Sequence, residues 1–273
     1  MGAGPRRTLP GAGRRGKPLS GRAGIKMDAP DMSASLQMKT EDFVFSAGEH
    51  WLAATRVQPD AGAASSVLTL HGLGQTANRH TIRYVLDHLA GYGLGSVCFE
   101  FSGNGDSSGA LEEACLRRRY EETLAAAEHL DKREPLTLIG TSMGGHLAAW
   151  VAPVLKPACL VLFCPASYPA DAAESRFDGG LARPGPYPDS PAYAGLREFS
   201  GDLLIIGAGK DAVVPAETLD GYLAAAMNAR SKKVVWLDDC EHFIHRWLPH
   251  QDALRPQVLT TIRDTILRAR ARQ

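Results

Sequence analysis

The chain has 273 residues, of which 44% are hydrophobic, so it is long enough to bury a sizeable core and one globular domain is expected. Lysine plus arginine and aspartate plus glutamate each number 30, so the net charge favours neither nucleic acid nor an anionic membrane as the main partner. A neutral small-molecule substrate fits this balance better.

The five cysteines and the apolar residues bear on the compartment. The cysteines show no Cys-x-x-Cys spacing and mostly lie within apolar runs, which indicates buried thiols in a reducing environment. The sequence has no stretch of 18 apolar residues that could span a membrane, and its first residues lack the apolar segment of a secretory signal. We therefore expect a cytoplasmic protein without a membrane span.

Residues 1–38 are predicted to form a disordered basic tail, followed by one α/β domain at 39–273. Residues 1–26 combine seven lysines and arginines with no acidic residue and with many glycines and prolines, so they cannot bury enough apolar surface to order themselves. A nucleic-acid-binding arm, a targeting segment and a leader before an alternative start at Met27 are the alternatives. The last is favoured because this much glycine and proline prevents an amphipathic targeting helix.

Strands and helices then alternate along the chain. A hairpin is predicted from Asp42–Ser46 and His50–Val57. The further strands are predicted at Ser66–Leu70, Ser96–Phe101, Leu136–Ile139, Cys159–Phe163, Leu203–Ile206 and Lys233–Leu237, most of them continuously apolar. The helices are predicted at His80–Ala90, Leu111–Leu130, Gly145–Leu155, Ala216–Met227 and Ala253–Arg270. This pattern predicts a mostly parallel sheet whose chemistry lies at the carboxyl ends of the strands.

One stretch, residues 165–201, is too long for a simple connection between two elements. It is rich in proline, glycine, aspartate and serine, but it also contains four aromatic residues that could be buried, namely Tyr168, Phe177, Tyr187 and Tyr193. We expect a short cap or lid over a binding site, and a structureless surface excursion is the alternative.

Ser142 is the candidate nucleophile. It lies in Gly140-Thr-Ser-Met-Gly144, which directly follows a predicted strand and runs into a predicted helix, the setting of a sharp nucleophile turn. The same Gly-x-Ser-x-Gly pattern also occurs around Ser107, but several loop residues separate that serine from its strand. The context therefore favours Ser142 and makes Ser107 a turn residue.

A serine hydroxyl needs a base and an orienting carboxylate, and both follow later in the chain. Asp211 and His242 each come after a predicted buried strand, in the order serine, aspartate, histidine. Asp238, Asp239 and Glu241 compete as the acid, but they lie on the histidine's own loop. His245 and His250 compete as the base, and they are predicted to be surface or packing residues at the entry of the last helix.

Two backbone N–H groups are candidates for binding the oxyanion of a tetrahedral intermediate. One belongs to Met143, directly after the nucleophile, and the other to Leu73 in the glycine-rich loop His71-Gly-Leu-Gly74. His71 could be mistaken for a metal ligand or a base. No second histidine or carboxylate stands nearby at ligand spacing, so we expect it to hold this loop in place.

These motifs together resemble the α/β-hydrolase superfamily over about residues 40–270, in particular the small cinnamoyl and feruloyl esterases and acylpeptidase-like members. The motifs are His71-Gly-Leu-Gly74, Gly103-Asn-Gly-Asp-Ser-Ser-Gly109, Gly140-Thr-Ser-Met-Gly-Gly145, Gly209-Lys-Asp211 and Glu241-His242-Phe243. The resemblance implies an eight-stranded, mostly parallel sheet flanked by helices and a Ser142, Asp211, His242 triad. It also implies an oxyanion hole from Leu73 and Met143, with no cofactor and no metal. Glu100 and Ser102 depart from the Asp and Arg that many relatives carry, which weakens any transfer of substrate class.

Three functions fit these residues. The first is a serine hydrolase that cleaves a carboxylic ester or acyl thioester of a small acyl substrate through an acyl-enzyme on Ser142. The second is an acyltransferase or cyclase that uses the same triad in a biosynthetic pathway. The third is a non-catalytic ligand-binding protein of the same fold, which the complete set of triad residues disfavours.

Overall fold

The computed structural model describes residues 38–59 and 64–272. The predicted tail lies outside these residues except for Met38, which begins the first strand. Eight strands are found in the described part of the chain. They are β1 (Met38–Ala47), β2 (His50–Pro59), β3 (Ser65–Leu70), β4 (Gly95–Phe99), β5 (Thr137–Thr141), β6 (Cys159–Phe163), β7 (Asp202–Ala208) and β8 (Ser231–Leu237).

The α-helices flank one sheet. They are α1 (Arg83–Ala90), α2 (Leu116–Ala127), α3 (Met143–Trp150), α4 (Ala152–Leu155), α5 (Pro191–Glu198), α6 (Ala216–Ala225), α7 (Ile244–Trp247) and α8 (Leu254–Arg270). Short 3₁₀ turns lie at Leu111–Glu113, Ala170–Glu174 and Leu248–His250. None of the described helices is long and apolar enough to cross a membrane.

The strands form a single eight-stranded sheet in the order β1-β2-β4-β3-β5-β6-β7-β8. The first hairpin is antiparallel, and β2 pairs antiparallel with β4, whereas every pair from β4 to β8 is parallel. This confirms the predicted α/β fold with a mostly parallel sheet. The carboxyl ends of β3, β5, β6, β7 and β8 therefore meet at one edge, which is where the candidate residues follow.

Alternate side chains of each central strand enter different cores on the two faces of the sheet. In β6, Leu160 and Leu162 pack in a core with α2, α3, α5 and α6, whereas Val161 and Phe163 pack in a second core with α1 and α8. All four side chains are fully buried. A strand covered on both faces has no polar face, which explains the continuous apolar runs in the sequence.

Two of the predicted helices are interrupted in the structure. The predicted helix Leu111–Leu130 is shorter, because the Ala114 carbonyl accepts a hydrogen bond from Phe177 N (2.9 Å) and residues 114 and 115 are extended. The predicted helix Gly145–Leu155 begins at Met143 and divides into α3 and α4. The division places Pro153 in the first turn of α4, where a missing N–H costs no helix hydrogen bond.

Candidate active site

The candidate nucleophile occupies a strained turn between β5 and α3. Ser142 has φ 52° and ψ −114°, a conformation that side-chain-bearing residues rarely adopt, and its N–H donates to the Phe163 carbonyl at 2.9 Å. The flanking glycines permit this turn. A Cβ on Gly140 would lie 2.3 Å from the Gly144 carbonyl oxygen, and a Cβ on Gly144 would lie 2.1 Å from the Leu70 carbonyl oxygen. Both positions therefore require glycine, because the backbones of β3, β5 and α3 pack closely together here.

The three predicted triad residues come together at the carboxyl edge of the sheet. Ser142 Oγ lies 3.0 Å from His242 Nε2, and His242 Nδ1 lies 2.8 Å from Asp211 Oδ2. A carboxylate only accepts hydrogen bonds, so Nδ1 carries the proton and donates it to Asp211. Nε2 is then free to accept the proton of the serine hydroxyl.

Asp211 is held as an anion by its surroundings. Burial alone raises the pKa of its carboxyl, but hydrogen bonds from His242 and from the N–H groups of Val214 (2.9 Å) and Val213 (2.8 Å) outweigh burial, so the pKa lies below its usual value. Both backbone bonds reach Oδ1, which leaves Oδ2 for the histidine. The carboxylate is thus fixed in orientation as well as in charge.

The glycine-rich loop passes directly beside the nucleophile. A Cβ on Gly72 would lie 3.3 Å from Ser142 Cβ, so the backbone that carries Leu73 approaches the serine closely. Met143 is the first residue of α3, where backbone N–H groups lack partners within the helix. Both groups therefore stay candidates for the oxyanion hole.

His71 holds that loop. Its Nε2 accepts a hydrogen bond from Phe101 N at 3.1 Å, so Nδ1 carries the proton and donates it to the Gly72 carbonyl at 2.8 Å. Burial lowers the pKa of the imidazole to about 4, which keeps it neutral. The expected role in fixing the loop agrees with these contacts.

The competing residues are engaged elsewhere. Ser107 Oγ donates to the Glu100 carbonyl at 2.6 Å and accepts from Ala53 N at 2.9 Å, as a turn residue would. The competing acids Asp238, Asp239 and Glu241 are all exposed, and Asp239 pairs with Lys210 at 2.8 Å. His250 is exposed in a 3₁₀ turn.

His245 is a packing residue with both ring nitrogens engaged. Nδ1 lies 3.0 Å from Tyr84 Oη and Nε2 lies 2.7 Å from Thr141 Oγ1. Its ring packs edge-on against Phe163, and burial lowers its pKa to about 4. His245 is therefore neutral and hydrogen-bonded away from Ser142.

In the described part of the chain, one group of side chains could by donor type hold a metal ion. Cys164, Asp211 and His242 each place a ligand atom within 4.8 Å of the others. Burial raises the pKa of the Cys164 thiol far above its usual value, and the thiol is a poor ligand compared with the thiolate. Asp211 and His242 are already hydrogen-bonded to each other, so the three residues fit a metal poorly.

A cavity of about 110 Å³ lies beside Ser142 and His242. Its walls come from the end of β3 and the loop after it (within residues 69–82), from Phe99 at the end of β4, from the end of β5, and from residues 242–246 after β8. Leu73 (40% exposed) and Phe243 (56% exposed) are large apolar residues that line it, and Arg246 also lines it.

None of the lining residues belongs to residues 165–201, so the expected cap does not form a wall of this cavity. The stretch packs beside α3 instead. Tyr168 packs edge-on against His146, and α5 lies against α3 so closely that a Cβ on Gly195 would lie 2.0 Å from the Ala149 carbonyl oxygen. The aromatic residues that suggested a lid are thus partly used in the core, where Tyr168 and Tyr193 are buried.

Two arginines that line the cavity, Arg79 and Arg246, were not predicted from the sequence as parts of the site. Arg79 lies in the loop before α1, and Arg246 lies on α7. Their positions depend on contacts between distant parts of the chain, such as that of Arg246 with Thr76, 170 residues apart. No local sequence pattern predicts such a contact.

The fold of this chain is similar to that of several known proteins. Residues 67–197 match the model of the alpha/beta hydrolase family. A serine hydrolase involved in carbazole degradation is 17% identical, with 82% of this chain and 100% of that chain covered at a TM-score of 0.61. Est1E from Butyrivibrio proteoclasticus, solved with ferulic acid bound, is 16% identical, with 82% and 99% covered at 0.63. Alpha/beta hydrolase domain-containing protein 10 from mouse is 18% identical, with 84% and 99% covered at 0.59. No curated protein matches the chain.

Proposed function

We propose that the chain is a serine hydrolase of the α/β-hydrolase superfamily that cleaves a carboxylic ester or acyl thioester through an acyl-enzyme on Ser142. The observation that carries the proposal is the continuous hydrogen-bonded chain from Asp211 through His242 to Ser142. Such a chain has the polarity needed to activate a hydroxyl, because the anion at one end stabilises the imidazolium that forms in the middle.

In the first half-reaction, Ser142 Oγ attacks the carbonyl carbon while its proton passes to His242 Nε2. The carbonyl oxygen becomes an oxyanion, which the N–H groups of Leu73 and Met143 are proposed to bind. When the tetrahedral intermediate collapses, the bond to the leaving alcohol or thiol breaks and His242 gives that group its proton. The acyl group is now esterified to Ser142.

In the second half-reaction, water takes the place of the leaving group. His242 accepts a proton from the water as its oxygen attacks the acyl carbon, and the same N–H groups hold the new oxyanion. Collapse breaks the bond to Ser142 Oγ, which recovers its proton from His242, and the carboxylic acid leaves. Apart from this water, both half-reactions use only these side chains and backbone amides.

A fluorophosphonate probe tests the nucleophile, because it phosphonylates only an activated serine. We expect stable labelling of the protein, its mass shift located on the peptide that contains Ser142, and no labelling of Ser142→Ala. Ser107→Ala is the matched control, since it alters the other Gly-x-Ser-x-Gly motif and should label normally. Labelling that persists in Ser142→Ala, or that disappears in Ser107→Ala, contradicts the proposal.

Product analysis tests whether water is the acceptor. With an ester that the enzyme turns over, we expect free carboxylic acid to be the main product in the presence of a small alcohol. Acyl transfer to the alcohol in excess of free acid would instead identify an acyltransferase that uses the same triad.

A further inference from the structure

The cavity beside Ser142 has an unequal distribution of charge. Its lining contains the arginines Arg79 and Arg246 and no aspartate or glutamate. The cavity histidines His71 and His245 are neutral, since burial lowers the pKa of each to about 4. Apart from the triad histidine His242, the side chains of the cavity wall that can carry a charge are therefore the two arginines.

Arg79 is already neutralised. It is buried, its guanidinium pairs with buried Glu100 at 2.5 Å and with Asp106 at 3.0 Å, and its Nε donates to Thr55 Oγ1 at 3.0 Å. These contacts use the guanidinium in holding the surrounding loops together, so it has little capacity left for a ligand.

Arg246 differs in having no carboxylate partner within ion-pair distance in the part of the chain that the structure describes. One Nη donates to Thr76 Oγ1 at 3.0 Å, and the guanidinium carbon lies 5.1 Å above the centre of the Phe243 ring. Thr76 belongs to the loop after β3 and Phe243 to the loop after β8, so these contacts hold the guanidinium between the two loops that flank Ser142. The side chain is thus oriented while its remaining N–H donors stay unused by protein carboxylates.

We propose that Arg246 is a specificity-determining residue that binds a carboxylate carried by the ester substrate. The planar guanidinium matches a carboxylate with two parallel hydrogen bonds, and an arginine already held on an aromatic ring loses less freedom on binding. Leu73 and Phe243 cover the same cavity with apolar surface, which suits a short hydrocarbon segment between the scissile bond and the anion. The even balance of charge over the whole chain favoured a neutral substrate, but a net charge does not reveal the local positive charge of Arg246 in this cavity.

Two pairs of matched esters test the proposal, which rests on the proposed hydrolase function. The first pair places the charge in the acyl group: mono-4-nitrophenyl adipate against 4-nitrophenyl hexanoate. The second places it in the leaving group: 4-acetoxybenzoate against its methyl ester. The measured quantity is the ratio of kcat/KM for the anionic member to that for the neutral member of each pair.

In at least one pair we expect Arg246→Gln to lower this ratio about ten-fold or more, as loss of a charge-assisted bond implies, with Arg246→Lys in between. In the wild-type enzyme this ratio should fall as sodium chloride is added, because salt screens the charge of an arginine that is exposed to solvent. Arg117→Gln is the matched control. Arg117 also lies over an aromatic ring, that of Trp150, but outside the cavity, so its loss should leave both ratios unchanged.

Equal ratios in wild type and Arg246→Gln for both pairs would overturn the proposal, as would an equal fall in Arg117→Gln. This failure is distinct from failure of the hydrolase function. If the neutral esters are cleaved and Ser142 is labelled by the fluorophosphonate, only the role of Arg246 is lost. If Ser142 is not labelled and no ester is cleaved, the hydrolase function falls and the role of Arg246 falls with it.

Discussion

At the scale of single residues, the contact between Asp211 and His242 decides which imidazole nitrogen carries the proton. An amide at position 211 could present its NH₂ group to Nδ1, which would favour the wrong tautomer and place the proton on Nε2. We therefore expect Asp211→Asn to lower kcat on 4-nitrophenyl hexanoate by about 10³- to 10⁴-fold, with the folded structure retained.

Asp239→Asn is the control for this change. Asp239 is also an aspartate near the histidine loop, but it is exposed and pairs with Lys210. The kcat of Asp239→Asn should stay within about two-fold of the wild-type value, because an exposed ion pair contributes little to the stability of the folded site. Similar losses in both variants would show that charge near the site, rather than the tautomer of His242, controls the rate.

The residues of the site differ in how far the sequence predicts them. Ser142, Asp211 and His242 stand out because each follows a strand, and parallel strands bring their carboxyl ends to one edge. The structure places His242 within hydrogen-bonding distance of both Ser142 and Asp211. The position of Arg246 was not predictable, because it depends on a hydrogen bond to Thr76, whose loop follows a different strand.

At the scale of secondary structure, the strands were predicted better than the helices. β6 has the predicted bounds Cys159–Phe163, since an apolar run covered on both faces marks a buried strand along its whole length. Helix α5 was missed, because its sequence lies in the stretch rich in proline and glycine that resembled a loop. Its apolar residues, such as Leu196, become informative only once α3 is known to pack against them.

The buried ion pair between Arg79 and Glu100 joins the end of β4 to the segment before α1, and it gives a prediction at this scale. Glu100 is 2% exposed, and its carboxylate also accepts a hydrogen bond from Asp106 N at 2.8 Å. Replacement of Glu100 leaves the buried guanidinium with the exposed Asp106 as its remaining ionic partner, so we expect Glu100→Gln to lower the free energy of unfolding by about 3 kcal/mol in urea denaturation.

Asp106→Asn provides the comparison, because Asp106 pairs with the same arginine from an exposed position. Its effect should be below about 1 kcal/mol. If the two substitutions cost the same, burial of Glu100 is not what makes this pair important for stability.

At the scale of the whole molecule, stability depends on pH through histidines that fold in the neutral form. His146 is fully buried among aromatic rings, with the ring centroid of Tyr168 at 5.1 Å and that of Trp150 at 5.8 Å. Neither of its ring nitrogens has a hydrogen-bond partner within the described residues. Burial lowers its pKa from 6.5 to about 3, so it stays uncharged under conditions in which the unfolded chain would bind a proton.

The sign of the effect follows from proton counting. Between pH 6.5 and about 3 the unfolded state binds more protons at this position than the folded state, so the free energy of unfolding falls as the pH falls. Near pH 5 this one residue contributes a slope of roughly 1 kcal/mol per pH unit, and this slope fades above pH 7 as the histidine of the unfolded chain loses its proton. We expect His146→Phe, which keeps an aromatic ring of similar size, to reduce the measured slope by this amount. Urea denaturation at a series of pH values from 7 to 4 measures it, and His80→Gln, which alters an exposed histidine, should leave the slope as in wild type. An unchanged slope in His146→Phe would show that His146 does not resist protonation in the folded protein.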